Sequence, residues 1–104
     1  MADAASLARA LERLDEVTRR LRAECPWDRE QDERSIVPHT VEEAYELAEA
    51  ARAGDDDAIR DELGDVLFQV VFLALLLEER GEGDLAGIAT QLTEKLIRLS
   101  LIHI

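Results

Sequence analysis

Residues 66–77, which read VLFQVVFLALLL, form a run that is apolar on every side of a helix and carries one polar residue, Gln69. About a dozen residues fall well short of the roughly 20 needed to cross a bilayer. A helix without a polar face must be covered by other elements, so this run predicts a buried central strut. Hydrophobic residues make up 47% of the 104-residue chain and aromatics only 4%. The core is therefore Leu, Ile, Val and Ala, which suits packed helices better than a sheet sandwich. A chain of this length fits one domain, small enough that self-association supplies much of the buried surface.

The flanking pattern is helical too. Leu7, Leu11, Leu14, Val17 or Thr18, and Leu21 recur at three- and four-residue intervals and predict an amphipathic first helix over about residues 3–23. Residues 24–38 are polar, bracketed by Pro26 and Pro38, and hold the sole tryptophan, Trp27. They read as an ordered functional loop with a short helix over 28–35 capped by Asp28. Thr40, with Glu43 three positions on, forms a capping box that starts a second helix, which Gly54 ends. Asp55 to Asp57 offer caps for a long third helix reaching about Arg80, where Gly81 and Gly83 break it. A fourth, over 84–98, gathers Leu85, Ile88, Ala89, Leu92, Leu96 and Leu99 on one side. The expectation is an all-α, antiparallel four-helix bundle-like domain over residues 1–98, with a long central third helix and a dimeric assembly. Residues 99–104 stand apart as an atypical tail.

Charge narrows the partners. A formal net charge of −12 argues against nucleic-acid polymers and anionic membrane surfaces, both of which select basic faces. One cysteine, Cys25, allows no intrachain disulfide, and polar residues interrupt the N-terminal segment where a signal peptide would be apolar. Both point to the cytoplasm.

The acidic residues are also patterned. Glu42, Glu43 and Glu46 form a Glu-Glu-x-x-Glu cluster, and with Glu49 they share one helix face. Glu62 and Asp65 lie one turn apart at the threshold of the apolar run. An acidic helix face is commonplace, and the capping box explains Glu43 by itself. Asp65, however, starts the part of its helix that should be most buried, and an unpaired buried charge costs several kcal/mol. Arg60 lies off that face, so a metal ion is the better partner. Carboxylates from two antiparallel helices make an all-oxygen site suited to Mg²⁺ or Mn²⁺.

Several ordered blocks carry a resemblance. Cys25-Pro26-Trp27-Asp28-Arg29-Glu30-Gln31, then Val37-Pro38, then Glu42-Glu43-Ala44-Tyr45-Glu46, then Arg60-Asp61-Glu62-Leu63-Gly64-Asp65 and the following Val66-Leu67-Phe68-Gln69-Val70-Val71-Phe72, closely resemble the MazG-type all-α nucleoside triphosphate pyrophosphohydrolases. The resemblance implies a helical bundle that dimerises or assembles further, Mg²⁺ as cofactor, and cleavage of a nucleoside triphosphate between its α and β phosphates. It implies Glu43, Glu46, Glu62 and Asp65 as metal ligands and phosphate contacts from Lys95 and Arg98, for which helix-end stabilisation is the plain alternative. Glu42 falls inside the motif, where orienting or activating water competes with support of the helix N-terminus. Trp27 either stacks on a base or plugs the loop against the bundle. Members usually continue past the fourth helix with a second Arg and a His-Pro-His-Val-Phe stretch; here the chain reads Leu99-Ser100-Leu101-Ile102-His103-Ile104, which weakens the expected grip on phosphate. His39 and His103 stand alone with no second ligand at a metal-binding interval. A rival reading is a non-catalytic helical assembly module with an incomplete site. A phosphoribosyl-ATP pyrophosphohydrolase would share fold and reaction but lacks the Cys-Pro-Trp-Asp block.

Overall fold

Each long helix begins on an aspartate. The computed structural model describes residues 3–100, which form α1 (Ala4–Glu24), α2 (Pro26–Arg29), α3 (Glu33–Ala53), α4 (Asp56–Glu79) and α5 (Leu85–Leu99). Asp3, Asp32, Asp55 and Asp84 accept hydrogen bonds from the backbone N–H groups of Ser6, Ser35, Ala58 and Gly87 at 2.7, 2.9, 3.2 and 2.7 Å. Each cap satisfies a donor that the helix leaves without a partner and contributes about 1 kcal/mol. Gly54 ends α3 in the left-handed conformation at φ 69°. None of the described residues forms a strand, and no helix among them is long and apolar enough to cross a membrane.

Two boundaries differ from the expectation. The second long helix starts at Glu33 rather than after Thr40, because Asp32 and Ser35 cap each other reciprocally. Pro38 is carried inside α3, in its second turn, on an exposed side. Thr40 is therefore mid-helix, and its hydroxyl donates to Gln69 Oε1 at 3.0 Å across to α4. The short helix falls earlier than 28–35, with Pro26 in the first position it favours. Asp28 does not cap it and is buried.

α4 is the strut that the apolar run predicts. It packs against α1, α3 and α5, most extensively α3, while α1 also touches α2. Ile36, Phe72 and Leu76 are almost wholly buried, with Phe68 and Leu73 against them. Arg19 grips Glu78 with two bonds of 2.5 and 2.8 Å, and Arg22 grips Glu79 with two of 2.9 Å, fixing α1 on the end of α4. Arg22 does more. Its Nη1 donates to the carbonyls of Asp28, Arg29 and Gln31 at 2.6, 3.1 and 2.9 Å, and the guanidinium lies 5.8 Å from the Phe72 ring centroid. One side chain thus ties α1, the α2 turn and α4 together.

The single chain does not close the bundle. α5 packs only on α4 and buries no residue, leaving Leu92, Leu96, Ile97 and Leu99 exposed. The stripe of α1 contributes only Thr18 to the buried set, and Leu7, Leu11, Val17 and Leu21 face solvent. Leu63, Leu67 and Val70 leave part of α4 uncovered as well. Leu99 ends α5 and Ser100 follows as its C-cap; the remainder of the expected tail lies outside the described residues.

Replacing Arg22 by Met keeps a stem over Phe72 but removes every donor. We expect urea unfolding to show a loss of about 2 kcal/mol or more, since hydrogen bonds from a charged group contribute roughly 1.5–3 kcal/mol and three carbonyls are left behind. Arg20→Met, which removes the exposed i,i+4 pair with Glu24, should change stability by less than about 0.5 kcal/mol. Equal effects would remove Arg22 from its central role.

Candidate metal centre

The register of α3 on α4 builds the centre. Ile36 meets Phe72, and one turn further along α3 Thr40 meets Gln69. Another turn brings Glu43 to the level of Asp65 and Glu62, because each turn forward on one antiparallel helix is a turn back on the other. One carboxylate oxygen from each of Glu43, Glu62 and Asp65 lies within 4.8 Å of the other two. Gly64, beside Asp65, has nothing within 4 Å of where a Cβ would stand, so this part of α4 is open on its other side.

Like charges at this spacing repel, and the site withholds water from some of them. Glu43 Oε2 and Glu62 Oε2 are shut off from solvent and have no hydrogen-bond partner, although each side chain as a whole is only half-buried. That desolvation is the main reason the Glu62 carboxyl is pushed up to about 7; the close carboxylates of Glu46, Asp65 and Glu43 add to it. Glu43 is raised as well, first by desolvation and then by Glu46 and Asp65. Glu46 is thus electrostatically part of the centre, but it is exposed and lies outside the 4.8 Å triad. Glu42 is exposed on the adjoining edge of α3.

Among the described residues no basic side chain pairs with Glu43, Glu46, Glu62 or Asp65. Arg60 turns away to Asp57, as its position on the helix predicts, and Arg52 takes Glu49. Buried carboxylate oxygens without a donor, in an all-oxygen set with no internal cation, fit a hard divalent cation such as Mg²⁺ or Mn²⁺.

The other expected residues are placed differently. Trp27 is half exposed and not a buried plug, and its ring meets His39 edge-on with centroids 5.8 Å apart and planes at 69°. His39 precedes Glu43 by one helical turn on the same face of α3, a relation that single-residue inspection of an isolated histidine misses. Lys95 and Arg98 are exposed on α5, and α5 does not contact α3, so the single chain does not bring them into contact with the carboxylates of that helix. Clefts of about 360, 540 and 410 Å³ are lined chiefly by α1 with the ends of α4 and α5, and none includes Glu43, Glu62 or Asp65. The carboxylates themselves lie on an open face.

The raised Glu62 group has a testable signature. Its folded value, about 7, exceeds the ordinary 4.5, so between those two pH values the folded state holds a proton that the unfolded state has lost. Stability from this group is present below about 4.5 and is lost as pH rises through about 7. In metal-free buffer the Tm of the wild type should therefore fall across that window relative to Glu62→Gln, whose neutral amide does not titrate. Parallel curves for the two proteins would show that Glu62 is not strained.

The chain has relatives among known proteins. Residues 31–100 match the MazG nucleotide pyrophosphohydrolase domain. The chain is 44% identical over 91 residues, 85% of its length, to the nucleoside triphosphate pyrophosphohydrolase of Escherichia coli K12, and covers 35% of that protein. It is 49% identical over 74 residues, 71% of its length, to the nucleoside triphosphate pyrophosphohydrolase/pyrophosphatase MazG of Thermotoga maritima, covering 29% of it. A relative from Mycolicibacterium smegmatis is 47% identical over 60 residues, 58% of this chain and 18% of that protein. The chain thus spans about a third or less of these relatives. Matched over most of its length, and with the carboxylates of α3 and α4 converging on one open face, the chain belongs to the MazG nucleotide pyrophosphohydrolase family.

Proposed function

We propose that this chain hydrolyses a nucleoside triphosphate between its α and β phosphates, yielding a nucleoside monophosphate and pyrophosphate. The observation that carries this reading is the pair of buried, partnerless oxygens on Glu43 and Glu62, set beside Asp65 without a cation from the protein. Glu43, Glu62 and Asp65, joined by Glu46, would hold Mg²⁺, with Mn²⁺ as a substitute. When bound, the divalent cation lowers the pKa of water and offsets charge on the triphosphate. Glu42, free and exposed beside the ligands, is suited to orient the attacking water and accept its proton. Trp27 offers an aromatic face to the base, and Lys95 and Arg98 offer cations to the phosphates. Attack at the α-phosphorus requires no covalent enzyme intermediate, so positioning and electrostatics suffice.

A second copy belongs to this reading. The exposed apolar residues of α1, α4 and α5 leave surface that one chain cannot cover, and a two-fold dimer is the common way to cover it. Such a dimer also gives the cations of α5 a route to the carboxylates of a neighbouring subunit. The same apolar surface is what a non-catalytic assembly module would display, so turnover decides between the two. A net charge of −12 leaves nucleic-acid polymers and anionic membranes as poor partners, and the lone cysteine fits a reducing cytoplasm.

With Mg²⁺ and a panel of nucleoside triphosphates, pyrophosphate should appear, and heavy oxygen from labelled water should enter the monophosphate. Glu62→Gln and Asp65→Asn should each lower kcat/KM by roughly 100-fold or more, at or beyond the upper end of what losing an outer partner of a metal ligand costs. Orthophosphate with a diphosphate would refute cleavage at the α-phosphorus, and absence of turnover with every nucleotide would favour the assembly module. Light scattering should show at least a dimer at micromolar concentration; a stable monomer would remove the subunit argument.

A further inference from the structure

Trp27 presents an unusual combination of exposure and restraint. Half of a large ring is left in water, yet the backbone carrying it is held firmly. Arg22 Nη1 donates to the carbonyls of the next two residues, Asp28 and Arg29, and of Gln31, while Gln31 Nε2 donates to the carbonyl of Trp27 itself at 2.9 Å. The indole also meets the His39 ring in a T-shaped contact at 5.8 Å and 69°. An edge-to-face contact constrains a ring while leaving much of its π-surface uncovered. His39 in turn is rooted on α3, one turn of about 5.4 Å before Glu43. His39, which carries the contact to Trp27 of α2, and Glu43, which joins the carboxylates of α4, are therefore neighbours one turn apart on one face of α3.

We propose that His39 is a positioning residue for the nucleobase: its ring holds Trp27 so that an indole face stays open for a base whose phosphates reach the carboxylates of α3 and α4. The ligand chemistry is an aromatic heterocycle joined through a sugar to phosphate, and the recognition is by stacking, so it tolerates different bases. This inference rests on the reading of the carboxylates as a nucleotide site, but it assigns a role to a residue that neither binds metal nor touches the reacting phosphorus. His39 is exposed and enters no ion pair among the described residues, so its aromatic contact is the interaction a substitution would remove.

Trp27 is the sole tryptophan, so intrinsic fluorescence reports it without interference. Uncharged adenosine and cytidine, which need no metal, should quench wild-type emission saturably, whereas ribose should not. His39→Ala should weaken that binding by roughly 3- to 10-fold, the scale of one lost aromatic contact, while His39→Phe, which keeps a ring edge, should restore most of it. With nucleoside triphosphate and Mg²⁺, His39→Ala should raise KM by a similar factor and leave kcat near wild type, because the group orients the base and not the phosphorus. Absence of quenching by either nucleoside in the wild type, or equal affinity in wild type and His39→Ala, would overturn the proposal. Pyrophosphate release measured on the same samples separates the two layers: turnover with unaltered His39 variants removes this inference alone, and saturable quenching without turnover sustains it while removing the hydrolytic reading.

Discussion

Ile36, Phe72 and Leu76 lock α3 against α4 near one end of their hairpin, and the rest of that interface inherits its register from them. Thr40 and Gln69 repeat the alignment one turn on, through a hydrogen bond inside a largely apolar seam. The next turn carries Glu43 on one helix and Asp65 with Glu62 on the other. A slip of one residue would rotate those carboxylates by about 100° and disperse them. The apolar contact and the polar bridge thus determine whether these three acidic residues converge or form an ordinary solvated face.

That register imposes an electrostatic load. Folding removes water from two carboxylate oxygens and puts like charges beside them, which lifts Glu62 to about 7. Among the described residues no ion pair compensates, and Arg60 and Arg52 are committed elsewhere, to Asp57 and Glu49. The anchoring contacts lie at the far end of the α4 helix, so the arginines that hold α1 in place are separated from the carboxylates by several turns. Stability is supplied at one end of the strut, and the strained chemistry sits near the other.

Much of this is legible in the amino-acid sequence. The 66–77 run points to the strut, the aspartates preceding α4 and α5 to their starts, and the acidic cluster of α3 with the acidic pair of α4 to the residues Glu43, Glu62 and Asp65 that the fold brings together, because each is a local pattern with a local cause. The start of α3 was misread for an equally local reason. Thr40-x-x-Glu43 has the form of a capping box, but Asp32 and Ser35 form a reciprocal one earlier, and Pro38 is tolerated in the second turn on an exposed side. Arg22 and His39 gave no such signal. Their roles come from contacts with carbonyls and a ring that only the folded chain brings near, and an arginine on an amphipathic helix or a lone histidine looks ordinary in sequence. The open flanks of α1 and α5 were hidden too, since an apolar stripe predicts a covered face without saying which chain covers it.

The central claim is that the fold stores unfavourable carboxylate proximity which a divalent cation relieves. Calorimetric titration of Mg²⁺ or Mn²⁺ in two buffers of different ionisation enthalpy tests it most directly, because it counts protons released as well as cations bound. With Glu62 at about 7, binding at pH about 6 should expel close to one proton from the wild type. The release should fade by pH about 8.5 and be largely lost in Glu62→Gln. Saturable binding with no proton release at any pH, or no binding at all, would contradict the account.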